Sequence, residues 1–357
     1  MNKKVLAIAI SSALAVPMAA QAVKVSVGGH VMRAIMFADD GVASDVMNVD
    51  NGASQSRLTL KGKEKLGVGG IDVGFALETA WASNMNSKVT IKGRNGNTGG
   101  ADTAFNIRQS YIWFGGKFGK VTMGHTSGSY DGVVNKNYSG VGLTGTANGG
   151  TTFGNAIEYR TSAGGFSGIT LGQSASSLDG NRHDVLRYDT PKFGPIGVSV
   201  SVADNQRWNA AVSANTSFSG AKINAAIGYE ENTNDGNNDQ WGGSASILFS
   251  QGTNLSVSYA EREIQAAGTG TKLRDADNFF VGIGHKWGHN AIGITYRETN
   301  DLNAANDEMT TWGIGFLHNI PGPRVELYAG YQNHDLDRPG TSLEDVDVFN
   351  MGARVRF

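Results

Sequence analysis

The chain of 357 residues has no cysteine and only six prolines, and charged residues make up just 17% of it. Without cysteine it can form no disulfide and no thiolate-ligated metal or iron–sulfur site. A formal net charge of −2 argues against a nucleic-acid-binding protein, because such proteins carry clustered Lys and Arg. Beyond the N-terminal segment no apolar run approaches about 18 residues, so no transmembrane helix is predicted.

Glycine, in contrast, is abundant, with 50 residues. The glycines follow no period of three, which excludes a collagen-like chain. Apolar residues make up 39% and aromatic residues 9%, spread evenly along the chain, which argues against disorder. The composition therefore indicates a folded chain with an unusual demand for small side chains.

The first 22 residues have the order of features typical of a secretory signal peptide. Lys3 and Lys4 precede an apolar stretch from Val5 to Val16, and a small-x-small pattern ends at Ala22. We expect cleavage after Ala22, which would leave residues 23–357 as one domain. Removing the two lysines lowers the net charge of the exported chain to about −4.

The rest of the chain is dominated by strict alternation of apolar and polar residues. At 255–260, Leu, Val and Tyr alternate with Ser, Ser and Ala, and 71–78, 198–202, 311–316 and 325–332 behave alike. A period of two residues predicts β-strands with one apolar face. No segment shows a convincing helical period, so an all-β fold is predicted.

The polar faces of these strands are rich in Gly, Ser, Ala and Asn rather than in charged residues. Small residues suit the interior of a closed barrel, and an apolar outer face suits lipid. Trp and Tyr near strand ends favour the membrane–water interface. These aromatic residues are Trp81, Tyr111, Trp113, Tyr229, Trp241, Tyr259, Trp287, Tyr296, Trp312 and Tyr331.

Connections between the segments alternate between short and long. Short turns are predicted at 66–70, 216–220, 250–254, 288–290 and 320–324. Longer polar loops are predicted at 82–103, 263–276, 299–308 and 333–345. Short turns at one end and long loops at the other are typical of transmembrane β-barrels of the outer membrane.

Four segments of the sequence resemble the general porins of Gram-negative bacteria. They are Ser56–Gly62 (SRLTLKG), the hairpin Arg108–Gly124 (RQSYIWFGG through GKVTMG), Arg187–Gly194 (RYDTPKFG) and a terminal Phe357 that ends an alternating row. Each segment is weakly specific by itself, and their order and spacing carry the resemblance.

The resemblance implies a closed antiparallel transmembrane β-barrel of 16 strands, with the third loop folded into the lumen. It also implies a homotrimer in the outer membrane, and it makes Phe357 an assembly signal read by the barrel-assembly machinery. Counting every alternating segment after Val23 gives 18 strands instead. The difference is 155–175, which we assign to the third loop rather than to the wall.

Charged residues on the polar faces of the predicted wall strands are the candidates for a constriction. They are Arg57, Lys61, Arg108 and Arg187. Charged rings bias ion passage in other pores, although each residue could equally be solvated without a special role. Against them, 127–153 offers only Asp131 as an acid and Lys136 as a base. His125 stands where porin relatives have Arg.

The function predicted from these patterns is passive diffusion of ions and small hydrophilic solutes through a water-filled channel. No cofactor, metal site or reaction is expected, since His285 and His289 on a strand and turn do not converge and no catalytic motif is present. A solute-specific channel, an outer-membrane barrel enzyme and a secreted soluble β-protein remain as alternatives. A weak anion preference, or almost none, is predicted.

Overall fold

A computed structural model describes residues 23–67, 69–91, 106–148, 153–204, 207–231, 239–266, 271–322 and 324–357. The predicted signal peptide, 1–22, and most of the predicted loop 82–103 lie outside these residues. No helix among the described residues is long and apolar enough to cross a membrane.

The first half of the described chain contains ten strands and three short helical turns. The strands are β1 (Lys24–Asp39), β2 (Ser44–Asp50), β3 (Arg57–Lys65), β4 (Asp72–Ala80), β5 (Asn106–Gly116), β6 (Gly119–Ser127), β7 (Glu158–Arg160), β8 (Phe166–Thr170), β9 (Arg182–Asp189) and β10 (Ile196–Ala203). The turns are two 3₁₀ segments, Gly52–Ser54 and Gly142–Thr144, and a single α-helical turn α1, Leu171–Ser174.

The second half is strands alone. They are β11 (Trp208–Phe218), β12 (Ala221–Glu231), β13 (Gln240–Leu248), β14 (Thr253–Gln265), β15 (Lys272–Trp287), β16 (Asn290–Asn300), β17 (Glu308–Ile320), β18 (Val325–Asp337) and β19 (Val346–Arg356).

The wall of the barrel has 16 antiparallel strands, as predicted. β2 and β3 are two parts of one strand, because both pair with β1 on the same side, β2 along 33–39 and β3 along 24–30. The other side of β1 pairs with β19 from His30 to Asp39, which closes the sheet on itself. A closed sheet leaves no unpaired edge, which is what the interior of a membrane requires.

The segment 155–175, which made the strand count ambiguous, is not part of the wall. Its strands β7 and β8 pair only with each other as a separate two-stranded sheet, while β6 pairs directly with β9. The assignment of this segment to the third loop is confirmed. The third loop, called L3 below, therefore comprises residues 128–181.

The ends of the barrel differ in the length of their connections. One end has turns at 66–71, 117–118, 190–195, 219–220, 249–252, 288–289 and 321–324. At 219–220, both Ser219 and Gly220 have positive φ, the conformation that a two-residue hairpin turn requires. The other end carries L3 and the longer loops, although 40–43 and 204–207 there are also short. β14, β15 and β18 run farther into the predicted loops than the sequence indicated.

The outer face of the wall is apolar with aromatic pairs near both ends of the strands. Toward the loop end, ring centroids lie 5.1–5.6 Å apart in three pairs, Trp208–Tyr229, Trp241–Tyr259 and Trp312–Tyr331. Toward the turn end, Trp287 packs on Phe316 with centroids 6.4 Å apart. The two levels match the aromatic girdles that flank the apolar band of an outer-membrane barrel.

Candidate functional site

L3 lies inside the barrel because its backbone is hydrogen-bonded to the inner face of the wall. The backbone N–H of Lys136 donates to Ser244 Oγ at 3.0 Å, and that of Tyr138 donates to Ser246 Oγ at 3.1 Å. Farther along, Asn350 Nδ2 donates to the carbonyl of Thr144 at 3.1 Å. The Ser and Asn residues of the inner face thus satisfy loop groups that would otherwise be buried without partners.

Glycines of the inner face make room for the same loop. A Cβ added to Gly315 would lie 2.4 Å from Thr144 Oγ1, and one added to Gly330 would lie 2.7 Å from Thr144 Cβ. Gly313 and Gly293 face Thr146 and Val141 in the same way. The sequence predicted that the small residues of the polar strand faces line the barrel interior. In the structure these residues contact L3 and leave space for it.

The second half of L3 fills one side of the lumen with an apolar cluster. Phe153, Ile157 and Leu171 are fully or almost fully buried there. The wall side of this cluster comes from inward-facing residues of β1, β2 and β19, namely Met32, Met36, Met47, Val49, Val346 and Val348. Because this side of the lumen is packed with side chains, the open wall consists of the inner faces of β3 to β6 and β9, continued at the turn end by the end of β19 and the start of β18.

A buried ion pair attaches this part of L3 to the loop between β1 and β2. Arg160 Nε donates to Asp40 Oδ2 at 2.7 Å, and both side chains are almost completely buried. The Arg160 guanidinium also lies over the ring of Phe166, 3.5 Å from its centroid. The carbonyl of Arg160 accepts from the backbone N–H of Glu344 in the loop before β19, so L3, the loop between β1 and β2 and the loop before β19 meet at this residue.

On the open side, two predicted constriction residues share one carboxylate. Arg108 Nε lies 2.8 Å and Arg57 Nη1 3.2 Å from Glu78 Oε1, and Arg108 also donates to Gln55 Oε1 at 3.0 Å. Arg108 reaches the lumen through a β-bulge: Glu78 pairs with Gln109 and Thr79 with Ile107, so Arg108 is left without an opposite residue. An extra residue in one strand redirects its side chain.

A second group of cations continues this wall toward the turn end. His30 pairs with Arg57 on one neighbouring strand and with Arg356 on the other. Arg354 and Arg356 both contact Glu326, with Arg354 Nη2 at 2.7 Å and Arg356 Nε at 3.0 Å from its carboxylate oxygens. A polar cavity of about 440 Å³ is lined by Arg57, Lys61, Arg354 and Arg356 together with His30 and Glu78.

A sequence profile of the Gram-negative porins matches residues 6–339. The chain belongs to this family. It is accordingly a diffusion channel of the outer membrane and not an enzyme. A comparison with curated proteins returned no match.

Solved structures share the fold at low sequence identity. The anion-selective porin from Comamonas acidovorans superimposes with a TM-score of 0.66 at 18% identity, covering 94% of this chain and all of that one. The channel DcaP of Acinetobacter baumannii gives 0.63 at 14% identity, covering 94% and 98%. OmpT of Vibrio cholerae in its trimer form gives 0.60 at 14% identity, covering 94% and 100%. At these identities the likeness shows the fold alone.

The remaining predicted residues of the porin fall in different places. Lys61 lies on the inward row of β3, as expected. Arg187 also faces inward, where it pairs with Asp189 at 2.7 Å and donates to the carbonyls of Ser127, the last residue of β6, and Gly128, the first residue of L3. Arg187 is therefore tied to the base of the loop, and its charge is offset by a carboxylate.

The structure contradicts the placement of His125 in the lumen. His125 pairs with Ser110 and Asp184 in a row that begins at the exposed Leu77, and Met123, two residues earlier, is exposed on the outer face. Alternation along β6 puts His125 on that outer face, where Nδ1 lies 3.7 Å from Asp184 Oδ1. The resemblance to the porins predicted that His125 lies in the lumen. This prediction was wrong because a local sequence motif does not determine which face of the strand a side chain occupies.

Sequence reasoning missed Arg354, Arg356 and Asp179. The two arginines could have been found, because they alternate with Val355 and Phe357 on the terminal strand and so must face inward. Asp179 could not be found from the segment 127–153, because it lies outside that segment. It lies at the far end of the loop, and the tertiary structure brings it back to Asp131.

Asp179 makes L3 sensitive to pH. It accepts the backbone N–H of Gly132 at 3.0 Å and a side-chain hydrogen bond from Asn135. Burial, together with the nearby Asp131 carboxylate, raises the pKa of Asp179 to about 7. Its negative charge is therefore present above pH 7 and lost below it.

We expect the anion preference of the channel to increase as the pH falls from about 8 to about 6, because one negative charge beside Asp131 is neutralised. The measurement is the zero-current potential in a salt gradient as a function of pH. The Asp179→Asn variant should show, at every pH in this range, the zero-current potential that the unmodified porin has at low pH. A pH profile of Asp179→Asn that matches that of the unmodified porin would contradict the assignment.

Proposed function

We propose that the channel conducts small hydrophilic solutes with a preference for anions. The observation that carries this proposal is the charge of the open wall. Among the described residues, six cationic side chains line it and three carboxylates oppose them; the cations are Arg57, Lys61, Arg108, Arg187, Arg354 and Arg356, and the carboxylates are Glu78, Asp189 and Glu326.

The effect of these charges is local. At physiological salt the screening length is about 8 Å, so only charges close to the path of an ion bias its passage. Asp131 and Lys136 of L3 offset each other in sign, so below about pH 7, where Asp179 is neutral, the wall determines the preference. The Comamonas acidovorans porin, which has the same fold, is itself described as anion-selective.

Removing Arg108 should shift the selectivity toward cations. In Arg108→Ser, Glu78 keeps Arg57 as its ion-pair partner and the hydrogen bond from Thr59, and the wall loses one positive charge. Glu78→Gln should shift the zero-current potential the opposite way, because both arginines lose their counter-charge. The readout is the zero-current potential in planar bilayers under a salt gradient.

Lys192→Ser is the matched control, because Lys192 lies in the exposed turn between β9 and β10 outside the lumen. It should leave the zero-current potential unchanged. Changes of equal size and sign in the zero-current potential of all three variants would show that the wall does not determine the selectivity. A strong cation preference of the unmodified channel would contradict the proposal as well.

A solute-specific channel is the second candidate, favoured by the cavity of about 440 Å³ beside Lys61 and Arg356. Its volume falls in the range of small-molecule sites, and its polar groups converge. A conductance that saturates with the concentration of an anionic solute would indicate such a site. Conductance that stays proportional to concentration would favour general diffusion.

We further propose that the porin assembles as a homotrimer. Arg33 lies on the outward row of β1, is 39% exposed and pairs with Asp50 at 2.7 Å. A lipid-facing arginine costs up to about 2–4 kcal/mol, whereas a neighbouring subunit could cover this pair. The trimer form of Vibrio cholerae OmpT supports the same assembly. The mass of the detergent-solubilised porin tests it.

Export and membrane insertion complete the proposal. Residues 1–22 act as a signal peptide, and cleavage after Ala22 leaves 23–357 as the barrel that contacts outer-membrane lipid. The barrel-assembly machinery recognises the terminal strand that ends at Phe357. N-terminal sequencing of the purified porin should begin at Val23.

A further inference from the structure

Two aromatic side chains of the open wall face the lumen rather than lipid. Gln109 pairs with the lumen residue Glu78, and Tyr111 and Trp113 follow Gln109 on the same face of β5 at steps of two residues. Ile112, between them, is exposed on the outer face. The sequence predicted that both rings lie at the membrane interface, which is wrong, because nearness to a strand end does not determine the face.

Two rows across the open wall combine these aromatic residues with lysines. Each row has a lysine on β3, a small residue on β4 and an aromatic residue on β5. The rows consist of Lys63, Gly74 and Trp113 and, next to them, of Lys61, Ala76 and Tyr111. Neighbouring strands lie about 4.8 Å apart, so only one small residue separates each lysine from the aromatic residue of its row.

The indole ring of Trp113 is held against the wall. A Cβ added to Gly74 would lie 2.6 Å from both Nε1 and Cε2 of Trp113, so the ring covers this glycine. Lys63 Nζ lies 5.7 Å from the ring centroid, within the range of a cation–π interaction, and 2.8 Å from Asp72 Oδ2. The ring is thus held by the wall, while part of it stays exposed to the lumen.

The polar groups of the neighbouring row have no partners of their own. The Lys61 side chain is exposed and forms no ion pair within the part of the chain that the structure describes. The Tyr111 hydroxyl makes no hydrogen bond there either. An ammonium group and a phenolic hydroxyl can both donate to an anion, so this row offers one uncompensated positive charge and a second donor.

These groups together define the chemistry of a ligand. The exposed part of the Trp113 ring favours a flat apolar group, because aromatic rings gain from stacked or edge-to-face contact. Lys63 is already neutralised by Asp72, so Lys61 calls for one negative charge. Residues two apart on a strand are separated by about 7 Å, a distance that one aromatic ring with an attached carboxylate can span.

We propose that these two rows form a binding site for aromatic monocarboxylates. The ring of the solute contacts Trp113, and its carboxylate accepts from Lys61 Nζ and the Tyr111 hydroxyl. The inference rests on the proposed anion preference, and it names a class of solute for the open wall. Because a solute must also leave, the site binds it weakly, as conduction through any channel requires.

Three solutes test the site in the unmodified porin. Benzoate, replacing gluconate at constant ionic strength and constant chloride, should reduce the single-channel chloride current saturably. Cyclohexanecarboxylate has the same charge without the aromatic ring, and its half-maximal effect should require an about fivefold higher concentration, the ratio that one aromatic contact gives. Benzamide keeps the ring without the charge and should leave the current unchanged at concentrations at which benzoate saturates.

Two variants assign the parts of the solute to their partners. Trp113→Leu should remove the difference between benzoate and cyclohexanecarboxylate. Lys61→Gln should raise the half-maximal concentrations of both carboxylates by a similar factor and keep their ratio. Trp287→Leu is the matched control, because Trp287 lies toward the same end of the barrel on the outer face, where it packs on Phe316. It should leave both concentrations unchanged.

The outcomes separate this site from the proposed anion preference. Equal half-maximal concentrations of benzoate and cyclohexanecarboxylate in the unmodified porin would overturn the site, as would an equal effect of benzamide. The anion preference is measured separately, as the zero-current potential in a gradient of potassium chloride without aromatic solutes. The three solutes decide the proposal on the unmodified porin even if Trp113→Leu does not fold.

Discussion

Deletion of Phe357 should strongly reduce the amount of folded, heat-modifiable barrel in the outer membrane. The backbone of Phe357 extends the seam between β1 and β19 by one residue pair, because its N–H donates to the Gly29 carbonyl at 3.1 Å and its carbonyl accepts from the Gly29 N–H at 3.3 Å. Its ring occupies the space that a side chain at position 29 would fill. The deletion therefore removes the last two hydrogen bonds of the seam between β1 and β19, in addition to the proposed assembly signal.

Two variants separate these contributions. Gly29→Val should damage the seam while leaving the terminal residue intact, since its Cβ would lie 2.7 Å from the Phe357 ring and 2.3 Å from the Arg57 carbonyl. Phe357→Ala keeps the backbone hydrogen bonds but removes the aromatic end. Normal yields of folded barrel from both the deletion and Phe357→Ala would refute the role of this residue.

Replacing Arg160 with alanine should open the channel. The change leaves Asp40 buried without its counter-charge, and breaking a buried ion pair in this way costs about 3–5 kcal/mol. The hairpin β7–β8 has no strand pairing with the wall and is held by this ion pair and by the apolar cluster, so loss of the pair should loosen it while the 16-stranded wall persists. We expect a larger and noisier single-channel conductance with unchanged heat modifiability.

Arg338→Ala serves as the matched control. Arg338 pairs with the buried Asp307, but this pair joins two loops at the barrel rim and does not involve L3. Its loss should leave the conductance unchanged. The combination Arg160→Met with Asp40→Asn should recover much of the original conductance, because no buried charge remains. An unchanged conductance in Arg160→Ala would show that the apolar cluster alone holds L3 in the lumen.

The alternation of side chains was sufficient to predict the wall of this protein. Residues two apart on a strand must share a face, so apolar rows such as 255–259 and 312–316 could only face lipid or a core. The Gly and Ser residues between these apolar residues then had to line the inside of the barrel, where little space is left for larger side chains. The tight turns could be predicted as well, because their Gly, Asn and Pro residues limit the local backbone.

The number of strands was decided by the tertiary structure. Segment 155–175 alternates as a wall strand would, and its Ile157 and Tyr159 are indeed buried. They belong, however, to one buried cluster with Met32 and Val348 of the inner face of the barrel, so they do not face lipid. Alternation reports that one face is apolar, but it does not report what covers that face.

The electrostatics of the channel also depend on contacts between distant residues. Arg57 and Arg108 were identified as lumen charges, but only pairing with β4 shows that Glu78 neutralises part of their charge. A bulge that no sequence period reveals turns Arg108 inward, and the register of β6 turns His125 outward. The sequence by itself thus determined that this chain forms a membrane barrel, because strand periodicity is local. Which charges face the water, and which of them remain unpaired, was decided by strand register and loop packing, because these join residues far apart in the chain.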